Sequence, residues 1–290
     1  MLQSILQRLS PTQKSMIRGW YYNGRAEFIR HFRSYDSASL RTRLTEMGLR
    51  SGDTLLVHSA FGRLLGFKGS PQALIDTFMD VIGPTGNLLM VSIPYMSSTS
   101  DYLKGGKTFD VRKTTSKMGL VSETFRRGPH VMRSLNPSHP ILACGPQADW
   151  IVSGHDSCHY SCGRGSPFEK LLELQGKVLF FGVSEFHFTF HHYLEDMIKD
   201  ELPFSLYEAQ PYTVNVIDIE GKTREVTTYA FTKEAIARRR VDVLFDELTR
   251  RGQMTRTQIG NTPMVLLKVS DSVLCTKELA RNGVYFYDMA

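Results

Sequence analysis

The sequence predicts an α/β fold: a central, mostly parallel sheet flanked by helices, with an antiparallel β-hairpin extension. In the first half of the chain, helical and strand-like segments alternate, which is typical of a parallel sheet. A short apolar run at residues 177–181 has the length of a buried strand and ends at Gly182. Two alternating segments, residues 212–219 and 223–231, are joined by a turn around Gly221, which is the pattern of a hairpin.

Residues 1–36 form a polar segment with several aromatic residues, and Pro11 and Gly24 divide it into two predicted short helices. We expect this segment to be an N-terminal helical appendage that packs on the main domain or on another subunit. Residues 37–290 are expected to form a single α/β domain. A homodimer is left open.

The domain is predicted to begin with a helix from Ser37, as the N-cap, to Met47. Proline is favoured at the first helical position, so Pro71 predicts the start of a second helix that runs to about Val81. Strands are predicted at residues 53–59 and 87–94. Further helices are predicted at residues 116–127, 147–152, 167–174, 233–251 and 272–281.

Composition and charge limit the classes of function. The chain has 290 residues, of which 41% are hydrophobic, with a net charge of +6. No apolar run approaches the roughly 20 residues of a membrane span, and no signal peptide is evident, so a cytoplasmic location is expected. The basic charge favours an anionic ligand. Nucleic acid is not expected, since the basic residues are scattered and residues 238–240, the one tight cluster, suit an exposed helix face.

Four cysteines, Cys144, Cys158, Cys162 and Cys275, are expected to be reduced thiols. Cys158 and Cys162 lie beside two histidines, but their spacing is loose and no second pair completes a zinc site. The sequence also lacks the motifs of dinucleotide-binding domains, P-loops and α/β-hydrolases.

The segment after the 177–181 run concentrates aromatic and histidine residues. A helix is predicted from Thr189, as the N-cap, which would make His192 and Glu195 neighbours on one face. Three interpretations remain open at this point. The segment forms a buried aromatic core, or a metal site from His187, His191, His192 and Glu195, or an acid–base pair in which a carboxylate orients an imidazole.

Several segments together resemble the aminoglycoside 3-N-acetyltransferases and their relatives. They follow one another in the same order as in that family: residues 52–59; Phe109 and Asp110 with Ser116, Met118, Gly119 and Glu123; residues 133–140; residues 165–167; and Gly182 and Val183 followed by Thr189, His192 and Glu195. Each segment is weak evidence alone. The five in order are fairly specific and span about residues 37–270.

The resemblance implies the family's own α/β fold and transfer of an acetyl group from acetyl-CoA, as co-substrate, to an amine on a sugar-like acceptor. It implies a catalytic group of Thr189, His192 and Glu195, in which His192 is the general base and Glu195 orients it. It implies that His58, Ser59, Ala60 and Phe61 line the pantetheine and acetyl group, and that Ser116 and Met118 also bind CoA. No metal is expected.

The acceptor is expected to contact Phe186, His187, Asn136 and His139. Asn136 stands where relatives often carry histidine, and this chain is basic, whereas enzymes that modify polycationic drugs need acidic acceptor sites. The expected acceptor is therefore a nucleotide-linked or otherwise anionic amino sugar. The alternatives are an aminoglycoside antibiotic as acceptor, a metal-dependent hydrolase, or a non-catalytic binding protein.

Overall fold

A computed structural model of the protein describes residues 10–289 and, within them, all side chains except those of residues 18, 19 and 21–23. The main sheet has seven strands in the order β4-β5-β2-β1-β6-β10-β9, and a second sheet has three strands in the order β3-β7-β8. The strands are β1 (Thr54–Ser59), β2 (Asn87–Val91), β3 (Phe109–Asp110), β4 (Met132–Arg133), β5 (Ile141–Cys144), β6 (Lys177–Phe181), β7 (Tyr212–Ile217), β8 (Thr223–Thr228), β9 (Met254–Ile259) and β10 (Thr262–Lys268).

The helices flank the main sheet or join its strands. They are α1 (Pro11–Phe32), α2 (Ser37–Glu46), α3 (Pro71–Ile82), α4 (Thr99–Lys104), α5 (Leu120–Arg126), α6 (Ala148–Val152), α7 (Pro167–Glu173), α8 (His191–Met197), α9 (Lys233–Arg238), α10 (Val241–Arg250) and α11 (Val269–Arg281). No helix in the described part of the chain is long and apolar enough to cross a membrane.

The α/β prediction is confirmed, and parallel pairing is concentrated at the centre of the main sheet. Strand β1 pairs in parallel with β2 on one side and with β6 on the other. The outer strands β4, β5, β9 and β10 pair antiparallel. The predicted hairpin is confirmed as β7 and β8, and the short strand β3 adds to it in parallel.

The central strands are apolar throughout because both faces of the sheet are covered. Alternate side chains of a strand point to opposite faces. Leu56 and Phe180 accordingly lie in the core beneath α8 and α10, whereas Val57 and Phe181 lie in the core beneath α3. This double burial explains why the strand at 177–181 reads as a continuous apolar run.

The expectation of two short helices at the N-terminus was wrong. Residues 11–32 form one helix that continues through Gly24, with a capping box between Ser10 and Gln13 at its start. A glycine in a helix costs only about 1 kcal/mol, so it does not have to end one. Residues 1–9 of the predicted appendage lie outside the described residues. Tyr35, placed in the appendage by the sequence, is buried and hydrogen-bonded to Thr262.

Three helix predictions also need correction. The N-cap of α2 is Asp36, whose carboxylate accepts from the backbone of Ser39 at 2.8 Å. The helix predicted at 116–127 starts only at Leu120, after a glycine with positive φ. The helix predicted at 233–251 is two helices, α9 and α10, because Arg239 takes an extended backbone conformation between them.

Candidate active site

A cavity of about 440 Å³ opens where β1, β2 and β6 end. The carboxyl ends of parallel strands are where open α/β sheets bind ligands. Its deeper wall is apolar and includes Val57, Met90 and Val121, while Arg63 and Lys117 stand among its exposed lining residues. The described residues that line this cavity include no carboxylate. The cavity therefore combines an apolar interior with local positive charge.

The loop between β6 and α8 forms one side of this cavity. Gly182 turns the chain out of β6 with φ of +72°, a conformation that other residues rarely adopt. Phe188 and Phe190 are fully buried and fix the loop to the core, while Phe186 is 71% exposed. The loop therefore presents Phe186 and His187 to the cavity from two buried anchors.

His192 lines the cavity at the start of α8. Its Nδ1 lies 2.7 Å from Oε2 of Glu195, one turn further along the helix. A carboxylate can only accept a hydrogen bond, so Nδ1 carries the proton and Nε2 keeps a lone pair. Burial lowers the pKa of His192 well below its usual value, and the neighbouring His191 lowers it further. His192 is therefore a neutral imidazole with a free proton-accepting atom.

Glu195 is completely buried and makes four hydrogen bonds. Arg239 donates from Nε to Oε1 at 2.5 Å and from Nη2 to Oε2 at 3.2 Å, and the hydroxyl of Tyr287 also donates to Oε1. Burial alone would raise the pKa of this carboxyl. The histidines and Arg239 outweigh burial and lower it below the usual range, so Glu195 is ionised.

His191 differs from its neighbour. Its Nδ1 donates to the backbone carbonyl of Phe188, and its Nε2 lies 3.7 Å from Oε2 of Glu195, beyond hydrogen-bond distance. Its ring is buried, and burial lowers its pKa. This hydrogen bond ties the start of α8 to the preceding loop.

The metal-site interpretation does not fit these contacts. One nitrogen each of His191 and His192 and one oxygen of Glu195 lie within 4.8 Å of one another, and His187 is not part of the group. Both oxygens of Glu195 already accept strong hydrogen bonds, and the Arg239 guanidinium lies against the carboxylate. A second cation there would be repelled by the guanidinium. Cys158 and Cys162 are free thiols and belong to no such group among the described residues.

The structure brings eight of the thirteen residues predicted for the site to the lining of this cavity, and Glu195 lies behind His192. His58, Ser59, Ala60, Met118, Phe186, His187, Thr189 and His192 line it, whereas Phe61, Ser116, Asn136 and His139 do not. Thr189 is not the N-cap of α8, which starts two residues later without a side-chain cap.

Asn136 and Ser116 act as internal supports. The amide oxygen of Asn136 accepts from the backbone of Ser138 and His139, and the side chain is fully buried. This geometry argues against the expected contact between Asn136 and a substrate. Ser116 is bonded to Ser122 and to the backbone of Met118, which lines the cavity. It therefore supports the wall from behind.

His139 lies against His192 without reaching the cavity. The two rings are 5.2 Å apart, edge to face, and the Nδ1 of His139 is hydrogen-bonded to Ser138. Burial lowers the pKa of His139 to about 3, so it is neutral.

Sequence reasoning missed Arg239 and Tyr287. Arg239 was placed in a solvated basic cluster on a helix surface, but it lies in the break between α9 and α10 and binds Glu195. Tyr287 comes from the last described residues of the chain. Neither residue lies in a recognisable motif, and no spacing signal connects them with Glu195.

Comparison with known proteins identifies the family of this chain. The family model described as aminoglycoside 3-N-acetyltransferase matches residues 56–281. Aminoglycoside N(3)-acetyltransferase III of Salmonella sp is 26% identical over 232 residues, which cover 69% of this chain and 81% of that protein.

Two solved structures share the fold. AAC-IIIb in a binary complex with CoASH superposes with a TM-score of 0.73 at 24% identity, covering 86% of this chain and 97% of that one. A histidine-to-alanine mutant of aminoglycoside acetyltransferase AAC(3)-IVa in complex with gentamicin has a TM-score of 0.70 at 25% identity, with 89% and 96% covered. Since the family model spans most of the chain, including β1, β6, α8 and Arg239, this protein belongs to the aminoglycoside 3-N-acetyltransferase family.

Proposed function

We propose that this protein transfers the acetyl group of acetyl-CoA to an amino group of an aminoglycoside, with His192 as general base. The observation that carries the proposal is the His192–Glu195 pair at the wall of the cavity, inside the region that the family model matches. The relative AAC-IIIb binds CoASH, and the AAC(3)-IVa mutant binds gentamicin.

The relatives do not support a nucleotide-linked or anionic amino sugar as the acceptor. That expectation came from the net charge of the whole chain, whereas acceptor binding depends on the groups near the site. The positive charge of Arg63 and Lys117 at this cavity suits the phosphates of CoA instead. The apolar walls between them suit the pantetheine arm and the acetyl group.

In this mechanism the neutral acceptor amine attacks the thioester carbonyl carbon. As the C–N bond forms, Nε2 of His192 accepts the proton that the nitrogen loses. The tetrahedral intermediate then expels the CoA thiolate, which takes up the proton held by His192, so the amide product forms and the base is restored. Glu195 stabilises the imidazolium that forms on His192, since their hydrogen bond becomes charge-assisted. Backbone N–H groups of residues 58–60 would stabilise the oxyanion, and Phe186 and His187 would contact the acceptor.

A thiol-release assay tests the proposal. Purified protein is mixed with acetyl-CoA and a panel of gentamicin-, kanamycin- and apramycin-type aminoglycosides, with a nucleotide-linked amino sugar as the comparison acceptor. We expect thiol release with at least one aminoglycoside, and a higher melting temperature with acetyl-CoA, which binds the folded state. The proposal fails if no aminoglycoside supports release, and the acceptor assignment fails if the nucleotide-linked sugar is preferred.

A further inference from the structure

The described end of the chain, residues 284–289, runs beside the break between α9 and α10. Arg240 donates its backbone N–H to Phe286 at 2.8 Å, and Asp288 donates to Arg238 at 2.7 Å. Arg239 and Tyr287 therefore pair as in an antiparallel bridge. Phe286 and Tyr287 are buried, which fixes this pairing in the core.

This pairing sends two side chains to the same carboxylate. The guanidinium of Arg239 binds both oxygens of Glu195, and the hydroxyl of Tyr287 binds one of them. The Cζ atom of Arg239 lies 5.4 Å from the centroid of the Phe231 ring. The centroids of the Phe231 and His192 rings are 4.6 Å apart. Glu195, Arg239, Tyr287 and Phe231 thus form a continuous packed support for the His192 imidazole.

We propose that Tyr287 and Arg239 are positioning residues for acetyl transfer: by saturating Glu195 they fix the orientation of His192 and limit its affinity for protons. This inference rests on the proposed function for its kinetic consequence. Neither residue lines the cavity, so neither is expected to touch acetyl-CoA or the acceptor. Tyr287 also lies beyond residue 281, where the family model ends.

The charges around Glu195 determine whether the pKa of His192 rises or falls when a donor to Glu195 is removed. If Glu195 had no other hydrogen-bond donors, its carboxylate would strongly favour the protonated form of His192. A protonated imidazole cannot act as a general base. Burial is the main cause that lowers the pKa of His192, and the nearby His191 and the Arg239 charge lower it further. The Tyr287 hydrogen bond withdraws negative charge from Oε1. Removing either donor therefore raises the pKa of His192.

Other titratable groups that face this pair are kept constant in the test. They include His191 and Asp196 on α8, His139 from the loop between β4 and β5, Cys162 from the loop before α7, and Tyr207, whose hydroxyl donates to Asp196. Burial of His139 and Cys162 keeps both neutral near pH 7.

The decisive variant is Tyr287→Phe, which removes one hydroxyl and preserves the ring. Histidine NMR titration of the full chain, with the His192 signal assigned by comparison with His192→Ala, measures the effect without any acetyl transfer. We expect the His192 titration midpoint to rise by about half to one pH unit. Tyr285→Phe is the matched control, since Tyr285 lies on the same segment but its hydroxyl faces Glu201 at 3.4 Å. In Tyr285→Phe the titration midpoint of His192 should be the same as in the unaltered protein.

Kinetics supply a second readout. Tyr287→Phe should lower kcat about 3- to 10-fold near the acid limb of the pH profile, leave the KM for acetyl-CoA unchanged, and recover at higher pH. Arg239→Lys keeps the positive charge but loses the paired hydrogen bonds to Glu195. It should also shift the acid limb of the pH profile to higher pH.

The outcomes separate the proposals. An unchanged His192 midpoint in Tyr287→Phe, or an equal loss of activity at every pH, would overturn the positioning role. A raised midpoint in a protein that acetylates no amine would leave the positioning of His192 intact and would overturn the proposed function.

Discussion

His191 and His192 are adjacent in sequence, yet their hydrogen bonds give them different roles. The Nδ1 of His191 is bound to a backbone carbonyl, whereas that of His192 is bound to Glu195. His192 is hydrogen-bonded to this carboxylate, whereas Nε2 of His191 lies 3.7 Å from it, beyond hydrogen-bond distance. A single-residue substitution can therefore distinguish them.

His192→Ala should lower kcat by about 10²–10⁴-fold, the usual contribution of a general base, with little change in the KM for acetyl-CoA. His191→Ala is the comparison, because His191 is adjacent on α8 and lines the same cavity but its Nδ1 binds the carbonyl of Phe188, so this substitution should cost less, mainly through packing. Steady-state kinetics at saturating acceptor would measure both. If His192→Ala kept more than about a tenth of the activity, the base would have to be another residue.

At this scale helical spacing predicts that His192 and Glu195 are neighbours, whereas their proposed catalytic roles come from the resemblance to the family. The sequence could not predict Arg239 or Tyr287, which contact Glu195 from 44 and 92 residues away in sequence. Nor could it show that Asn136 is buried, since its hydrogen bonds to the turn at Ser138 and His139 depend on a specific loop conformation.

The strand-to-loop transition at Gly182 is the element that places the site. A Cβ at this position would meet Cδ2 of Leu64 at 2.5 Å, and φ is +72°. The positive φ strains any other residue, and an added Cβ would also require the end of the Leu64 side chain to shift.

Gly182→Ala should therefore lower the free energy of unfolding by about 2–3 kcal/mol, through backbone strain plus displacement of Leu64. Gly154→Ala separates the two causes. Gly154 has a similar φ of +67° but open space at its Cβ, so only the strain of about 1 kcal/mol applies. Urea denaturation of the two variants would measure the difference. Equal losses would mean that Leu64 moves aside freely.

Elements with strong local signals were predictable, and the break between α9 and α10 was not. The Pro71 helix starts as expected because a fixed φ and a Ser70 cap act locally. Residues 233–251 contain no glycine or proline that would mark the end of a helix. The helix nevertheless breaks at Arg239. Backbone pairing with residues 286–288 and the bond from Arg239 to Glu195 offset the loss of the helical hydrogen bonds there.

Buried neutral histidines make the stability of the whole protein depend on pH. Burial lowers the pKa of His58 and His139 to about 3 and that of His155 to about 4. Unfolded histidine has a pKa of about 6.5, so the unfolded chain binds protons that the folded chain does not. The stability that these residues contribute is complete above about pH 6.5 and is lost as the pH falls toward 4 and below.

Thermal unfolding between pH 7 and pH 4 should therefore show a steady fall in Tm. Each such histidine contributes a slope that approaches about 1.4 kcal/mol per pH unit within this window. Glu195 acts in the same direction at lower pH, since its pKa is also lowered on folding. A Tm that stayed flat from pH 7 to pH 5 would show that these rings are hydrated in solution.

The two tryptophans stand at the surface, Trp20 on α1 with 75% exposure and Trp150 on α6 with 41%. Their fluorescence in the folded protein should therefore be close to that of the unfolded chain, with emission already at long wavelength. Intrinsic tryptophan emission would thus be a poor monitor of the core, and circular dichroism the better one. A blue shift on raising the protein concentration would instead report that a tryptophan has been covered, and repeating the measurement with Trp150→Phe would make Trp20 a probe of association.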